Sequence, residues 1–588
     1  MKAGKGWSRA FAGVVSAACA ASLCLAAEAP PLQGRPAIER FVPDLGTYPR
    51  QFAVEQGPSG IVHVGGADGL LTFDGTTWHS HDVGSEELVR SLAHDGRSRL
   101  YVGGYDTFGY FETPLVGEGR YVELVSRFGI DEPDFADIWQ VEIMPEGVFF
   151  VGLNDVFRFD PASGRTGHWQ HPGKFGALAR IGDRLLLQYR GEGLREWHDG
   201  DFVPVPGSEG PGRQIFHLVP VGQDTGLAMD RDGGWIEIRP PGHAALEMPS
   251  GVPDSSYFAS VLALGEGRLA LGSVDGWLYF IDLAEGSVRS FRVAHDWISD
   301  LAWSPEGGII AQTDLETLFV RWPSQWAAIG TDEGLNGAVM RVLPWQGRWL
   351  AITNGGVFAT TPDDAGRFEP LPWTEFEAWD FLPLGDGSGL LADSYAVKHV
   401  DLEGVRATSE AITYPRRIVA SRFHERRYYV GSEAGLGIFE FRDGELEPLL
   451  IPGADGEAIF TLVETAPDEL LLGTQGSGVL RARIQADGTA LVAERVDSGI
   501  DYGDAEYADL VEIDGSVHAV TENGFWRHVD GDFVRTDLDG LDALRVDDHF
   551  LEVRQAPDGR LWAFDFNRLF RHDGEAGWQR MDVDALFR

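Results

Sequence analysis

Short apolar runs separated by tight-turn residues recur along the whole chain, beginning with GIVHVGGADGLLTFDGTTW at 60–78. Further copies include GRSRLYVGGYDTFGYFE (96–112), EGVFFVGLNDVFRFDP (146–161), GRLALGSVDGWLYFIDL (267–283), RRYYVGSEAGLGIFEF (426–441) and GRLWAFDFNRLFRHDG (559–574). Thirteen such copies can be counted, roughly forty residues apart, the spacing of propeller blades. In each, an apolar segment such as LVRSLAHD (88–95) leads into a central strand, a Gly- or Asp-bearing turn and a third strand. A more polar segment such as TWHSHDV (77–83) then completes a four-stranded unit. Alternation and aromatic enrichment favour strands, and no long segment keeps a helical period. Such a sheet cannot bury both faces alone. Stacked radially, each sheet covers its neighbours. The expected fold is therefore all-β, with two consecutive β-propellers of four-stranded blades. The first has seven blades and the second six or seven.

The expected divisions are a signal peptide at 1–29, an N-terminal propeller at 30–330 and a C-terminal propeller at 331–588. Lys2, Lys5 and Arg9 precede the apolar run AFAGVVSAACAASLCLAA (10–27), which ends in small residues as secretory signals do. This implies export, in a bacterium to the periplasm. An uncleaved anchor is the alternative, but the run is short for a span. The segment RWPSQWAAIGTDEGLNG (321–337) breaks the rhythm and is where one ring passes to the next. Six visible copies in the second half leave its closure open. Either the ring has six blades, or IERFVP (38–43) and other strands help to close it, or the chain stops one blade short.

Charge and cysteine content narrow the function. Of 588 residues, 91 are Asp or Glu and 48 Lys or Arg, giving a formal net charge of −43. A surface so negative repels polyanions, so nucleic acid is excluded as a partner. Both cysteines, Cys19 and Cys24, lie in the signal segment, so the exported chain relies on packing without disulfides. No later stretch is apolar enough to span a membrane, and membrane association would need a separate segment.

FDGTTW (73–78) followed by VRSLAHDGRSRLYVGGYDTFGYFE (89–112), with WPSQW (322–326) and EGLNGAV (333–339), resembles the two-component-regulator propeller family. These are exported double-propeller sensor regions of bacterial signalling proteins, including hybrid histidine kinases and GGDEF diguanylate cyclases. The resemblance implies ligand sensing in signal transduction, coupled to an output domain or partner protein, by shape change or homodimerisation. It departs from the family plan after residue 580, where no β-sandwich, second membrane segment or output motif follows.

Ligands of propellers meet the face where the innermost strands begin. The residues there are Arg50, Arg90, Trp139, Phe216, Trp297, Trp379, Arg416 and Phe460, with Tyr507 and Phe550 further on. Aromatic rings can stack on the apolar faces of sugars while Arg hydrogen-bonds hydroxyls, which suits a small molecule or oligosaccharide. The competing assignment for each aromatic is packing between blades. RRIVASRFHERR (416–427) reads either as an anion pocket or as surface arginines paired with acids. His79 and His81 lack a third metal ligand, the acidic loops lack EF-hand spacing, and no G-x-S-x-G or P-loop is present. Neither metal nor cofactor is expected, and the chain reads as a non-enzymatic binding region. An exported protein-binding scaffold is the main alternative, and a carbohydrate-active enzyme the lesser one.

Overall fold

The computed structural model describes residues 32–581, apart from 33, 45–49, 85–87, 116–118, 209–213, 231, 241, 306, 325, 362–363, 374–376, 443, 454–455, 486–490, 497–498, 546–549 and 566–567. The proposed signal peptide lies outside these residues. The described chain forms thirteen four-stranded antiparallel sheets. Among the described residues no helix is long and apolar enough to cross a membrane. The architecture is a double β-propeller of seven and six blades. Blades 1 to 7 occupy 51–81, 89–123, 138–170, 175–204, 215–245, 258–292 and 298–320, and blades 8 to 13 occupy 339–370, 378–409, 415–453, 459–495, 508–536 and 552–581. One compact unit spans Arg35–Trp326; the other runs from Ala327 and takes in Leu32 and Gly34.

Twelve blades are simple meanders, and blade 7 is not. Its innermost strands, Ile298–Ser304, Gly308–Thr313 and Thr317–Val320, come from the end of the first unit, while its outermost strand is Ile38–Phe41 from the beginning. Ile38 pairs with Val320 and Phe41 with Thr317. The segment IERFVP thus closes the N-terminal ring rather than the second one. Closure is reinforced toward the hub, where the Val54 N–H donates to Asp300 at 2.9 Å and Ser304 Oγ donates to Gln56 at 2.6 Å.

The core lies between blades. Val54, Val64 and Leu71 of blade 1 meet Ala302 and Ile310 of blade 7, and comparable clusters fill the six other junctions of this ring. In the second unit five clusters join blades 8 to 13 in order, and a sixth sets Leu335, Ile329 and Leu32 against blade 8. Because both faces are covered, second strands such as Gly147–Gly152 and Gly308–Thr313 are buried along their whole length. They therefore read as continuous apolar runs rather than alternating ones.

The recurring glycine of VHVGG and LYVGG has a steric cause. A Cβ at Gly65 would sit 2.5 Å from Val89 of the next blade, and one at Gly103 would sit 2.5 Å from Ile138 and from Ser91 Oγ. Gly272 and Gly431 meet the first residue of the following blade in the same way. Gly103→Val should force blades 2 and 3 apart and lower stability by about 1–3 kcal/mol, the usual cost of overpacking. Urea denaturation of the variant checks this, and an unchanged midpoint would mean that the junction yields.

Candidate functional site

In blades 1 to 11 the innermost strand slips register just after its first residue. Except in blade 4, where Gly176 and Ala177 are both left over, the bulge leaves one residue unpaired against the second strand and re-aims its side chain. That residue is Phe52 in blade 1, Arg90 in blade 2, Trp139 in blade 3 and Phe216 in blade 5. In the second unit it is Trp379, Arg416 and Phe460 in blades 9 to 11. Six of the eight residues singled out from sequence are thus bulge residues, whereas Arg50 and Trp297 precede the first strands of blades 1 and 7.

These residues fall into two groups, one on each ring. At the mouth of the N-terminal ring, cations and aromatic rings alternate. The Arg90 guanidinium lies 4.1 Å from the Phe52 ring centre and 4.7 Å from that of Trp139. Arg50 lies 6.0 Å from Phe52 and 5.6 Å from Trp297. The order Trp297–Arg50–Phe52–Arg90–Trp139 spans blades 7, 1, 2 and 3. Both arginines are also ion-paired, Arg50 with Asp314 at 3.1 Å and Arg90 with Asp137 at 3.5 Å. Trp139 is 46% exposed, and the buried Trp297 Nε1 has no hydrogen-bond partner among the described residues. Phe216, on blade 5, stands apart from this row, edge-on to His217 at 4.7 Å, and is exposed. On the C-terminal ring Arg416 stacks 3.4 Å from the Trp379 ring centre and 5.9 Å from that of Phe460, and pairs with Glu433. Tyr507 and Phe550 meet edge-to-face at 5.0 Å.

In blades 2, 3, 5 and 6 the residue after the bulge ties its strand to the next blade. Ser91 Oγ donates to the Ile138 carbonyl at 2.8 Å, and Gln140 Nε2 donates to that of Leu178 at 2.8 Å. His217 Nε2 donates to Ala259 at 2.9 Å, and Ser260 Oγ to Ile298 at 3.0 Å. Below the mouth, carboxyl groups from three blades share the hub. Withdrawal from water, with Asp300 and Glu142 nearby, pushes Glu55 up to about 8. Burial raises Glu142 to about 7, and raises Asp300 to about 7 despite N–H donors from Val54 and Leu301. Burial lowers His217 to about 4, so it is neutral. The carboxyl groups beneath the aromatic mouth therefore take up their charge across the neutral range rather than below it.

Sequence reasoning missed Phe52, because it took Arg50 as the start of the first strand. The bulge phase, shared with blades 2 and 3, was the available signal. The arginines of 416–427 do not converge on one pocket. Arg416 and Arg417 begin blade 10's innermost strand, while Arg422 pairs with Glu512, and Arg427 with Glu440 and Asp468, beyond its other end. His81 is buried against Thr72 Oγ1 at 2.9 Å, whereas His79 is exposed.

Two extracellular domains from B. thetaiotaomicron are similar to the chain over most of its length. One, of a protein named as a one component system, shares 12% identity over 94% of this chain and 79% of its own, with a TM-score of 0.40. The other, of a protein named as a hybrid two component system, shares 11% identity over 93% of this chain and 73% of its own, with a TM-score of 0.37. Virginiamycin B lyase from Staphylococcus aureus shares 11% identity over 48% of this chain and 99% of its own, with a TM-score of 0.39. At these values the likenesses carry no assignment of family or activity. No family model matches the chain, and no curated protein matches it by sequence.

The raised carboxyls give stability a direction with pH. Folded Glu55, Glu142 and Asp300 hold protons at pH values where the unfolded chain has lost them. Their contribution is complete below the ordinary carboxylate values of 4.5 and 3.8 and is lost as pH rises through about 7 to 8. The melting midpoint should fall between about pH 5.5 and about pH 8.5, and Glu55→Gln should flatten that fall. An equally steep fall in the variant would assign the dependence to other groups.

Proposed function

We propose that the chain is the exported ligand-sensing region of a bacterial signal-transduction protein. It binds a small neutral ligand, an oligosaccharide in the first instance, at the mouth of the N-terminal ring. The observation that carries this reading is the row Trp297–Arg50–Phe52–Arg90–Trp139, ending in the half-exposed Trp139. Exposed indole offers an apolar face to the C–H side of a sugar ring. The Trp297 N–H awaits an acceptor, which a ligand hydroxyl or bridging water supplies. Both arginine charges are already matched by Asp314 and Asp137, which favours a neutral ligand over an acidic one at this mouth. Catalysis is not assigned to this chain; the output lies in another domain or a partner.

A second reading, an exported scaffold for another protein, is favoured by one further observation. Tyr105, Val274 and Leu315, in turns between second and third strands on the same face, are also exposed. With Trp139 and Phe216 they set five exposed apolar side chains on that face.

A thermal-shift screen of the mature chain against neutral oligosaccharides separates the two. One glycan class should raise the melting temperature without being turned over. Trp139→Ala should weaken that ligand three- to tenfold, equivalent to about 0.5–1.5 kcal/mol. No shift with any glycan, together with a protein that co-purifies and is lost from Trp139→Ala, would favour the scaffold. Product release from a glycan would favour an enzyme.

A further inference from the structure

The hub of the C-terminal ring carries a different set of charges. The residue after the bulge is Arg341 in blade 8, Asp380 in blade 9 and Arg417 in blade 10. Blade 12 contributes Asp509 and blade 13 contributes Arg554 and Glu552. Arg417 feels the charges of Asp380, Arg341, Arg554 and Asp509, which belong to blades 9, 8, 13 and 12. Blades so far apart around a ring come together only at its axis, which places these groups inside the hub.

Most of them are matched. Asp380 accepts from Arg341 at 2.5 Å with one oxygen and from the Ile418 N–H at 2.9 Å with the other. Arg554 donates to Asp509 at 2.7 Å and to Glu552 at 3.2 Å. Arg417 differs. It makes no hydrogen bond among the described residues, and its ion contact is a 3.6 Å approach to the same Asp380 that Arg341 holds. A third of its side chain, 32%, is open to solvent. Asp380 and, less strongly, Asp509 pull its pKa up, but withdrawal from water and the guanidiniums of Arg341 and Arg554 outweigh that pull and leave it below the ordinary value. Its neighbour Arg416 is stacked on Trp379 and paired with Glu433. One forked set of N–H donors therefore faces the hub, partly open to solvent, with no hydrogen-bond acceptor of its own among the described residues.

We propose that Arg417, in the hub of the C-terminal ring, binds the oxyanion of a small ligand, a carboxylate or a phosphate. The planar guanidinium offers two parallel N–H donors to such a group, and a bound oxyanion supplies the hydrogen-bond acceptors that Asp380, at 3.6 Å and held by Arg341, does not. The acidic exterior repels extended polyanions, so the ligand is a compact one. This site is on a different ring from the glycan mouth and does not depend on it.

Isothermal titration of the mature chain with malonate, and separately with inorganic phosphate, tests the proposal, with methyl glucoside as the neutral reference. At least one anion should bind with one-to-one stoichiometry, and which of the two does so identifies the group recognised. Arg417→Gln should weaken that binding tenfold or more, and Arg417→Lys several-fold, because lysine keeps the charge but not the fork. Trp139→Ala should leave it unchanged, so failure at the glycan mouth and failure here are read separately. Absence of binding by both anions, or equal affinity in Arg417→Gln, overturns the proposal. If circular dichroism shows that Arg417→Gln is unfolded, Arg417→Lys decides, and an unchanged affinity in that variant overturns it.

Discussion

The architecture depends on how closely neighbouring sheets approach at the hub. A four-stranded sheet with two apolar faces is not stable alone; it needs a sheet on each side, and a ring supplies both. The approach is closest where the second strand of one blade ends against the first residue of the next. There Gly65, Gly103, Gly272 and Gly431 leave no room even for a methyl group. Wedge-shaped blades follow from that contact, because side chains grow bulkier outward from the axis. The aromatic cluster of Phe108, Phe135, Phe150 and Phe157 between blades 2 and 3 fills that wider space.

The same few residues at the head of each innermost strand do three things. The bulge interrupts the ladder and frees one side chain for the mouth. The next residue enters the hub and bonds the neighbouring strand, as Ser91, Gln140, His217 and Ser260 do. Several polar groups in the hub are thereby satisfied by adjacent blades. Binding chemistry and ring closure are consequently built from adjacent positions, and a substitution at the second of them disturbs both.

The two hubs solve the problem of buried charge differently. In the N-terminal ring, burial raises Glu55, Glu142 and Asp300 above the ordinary carboxylate range, with repulsion from the other two adding to the rise at Glu55. In the C-terminal ring Asp380 and Asp509 are matched by arginines, and burial there is offset by ion pairing. The first hub takes up charge reluctantly as pH rises, whereas the second sets the guanidiniums of Arg341, Arg417 and Arg554 among the carboxyl groups of Asp380, Asp509 and Glu552.

The blade repeat, its count and the all-β class could be read from the chain alone, because turn residues and apolar runs are local and recur at a fixed period. The mouth was partly legible for the same reason, since Arg90, Trp139, Phe216, Trp379, Arg416 and Phe460 occupy one phase of that repeat. What lies across the ring could not be read. The pairing of Ile38–Phe41 with Thr317–Val320 joins strands nearly the whole unit apart in sequence. The division of the nominated residues between two mouths, and the matching of Arg341 with Asp380 and of Arg554 with Asp509, were equally hidden. Such contacts depend on how many blades close the circle and which side chains then face one another over the axis, and no local pattern encodes that.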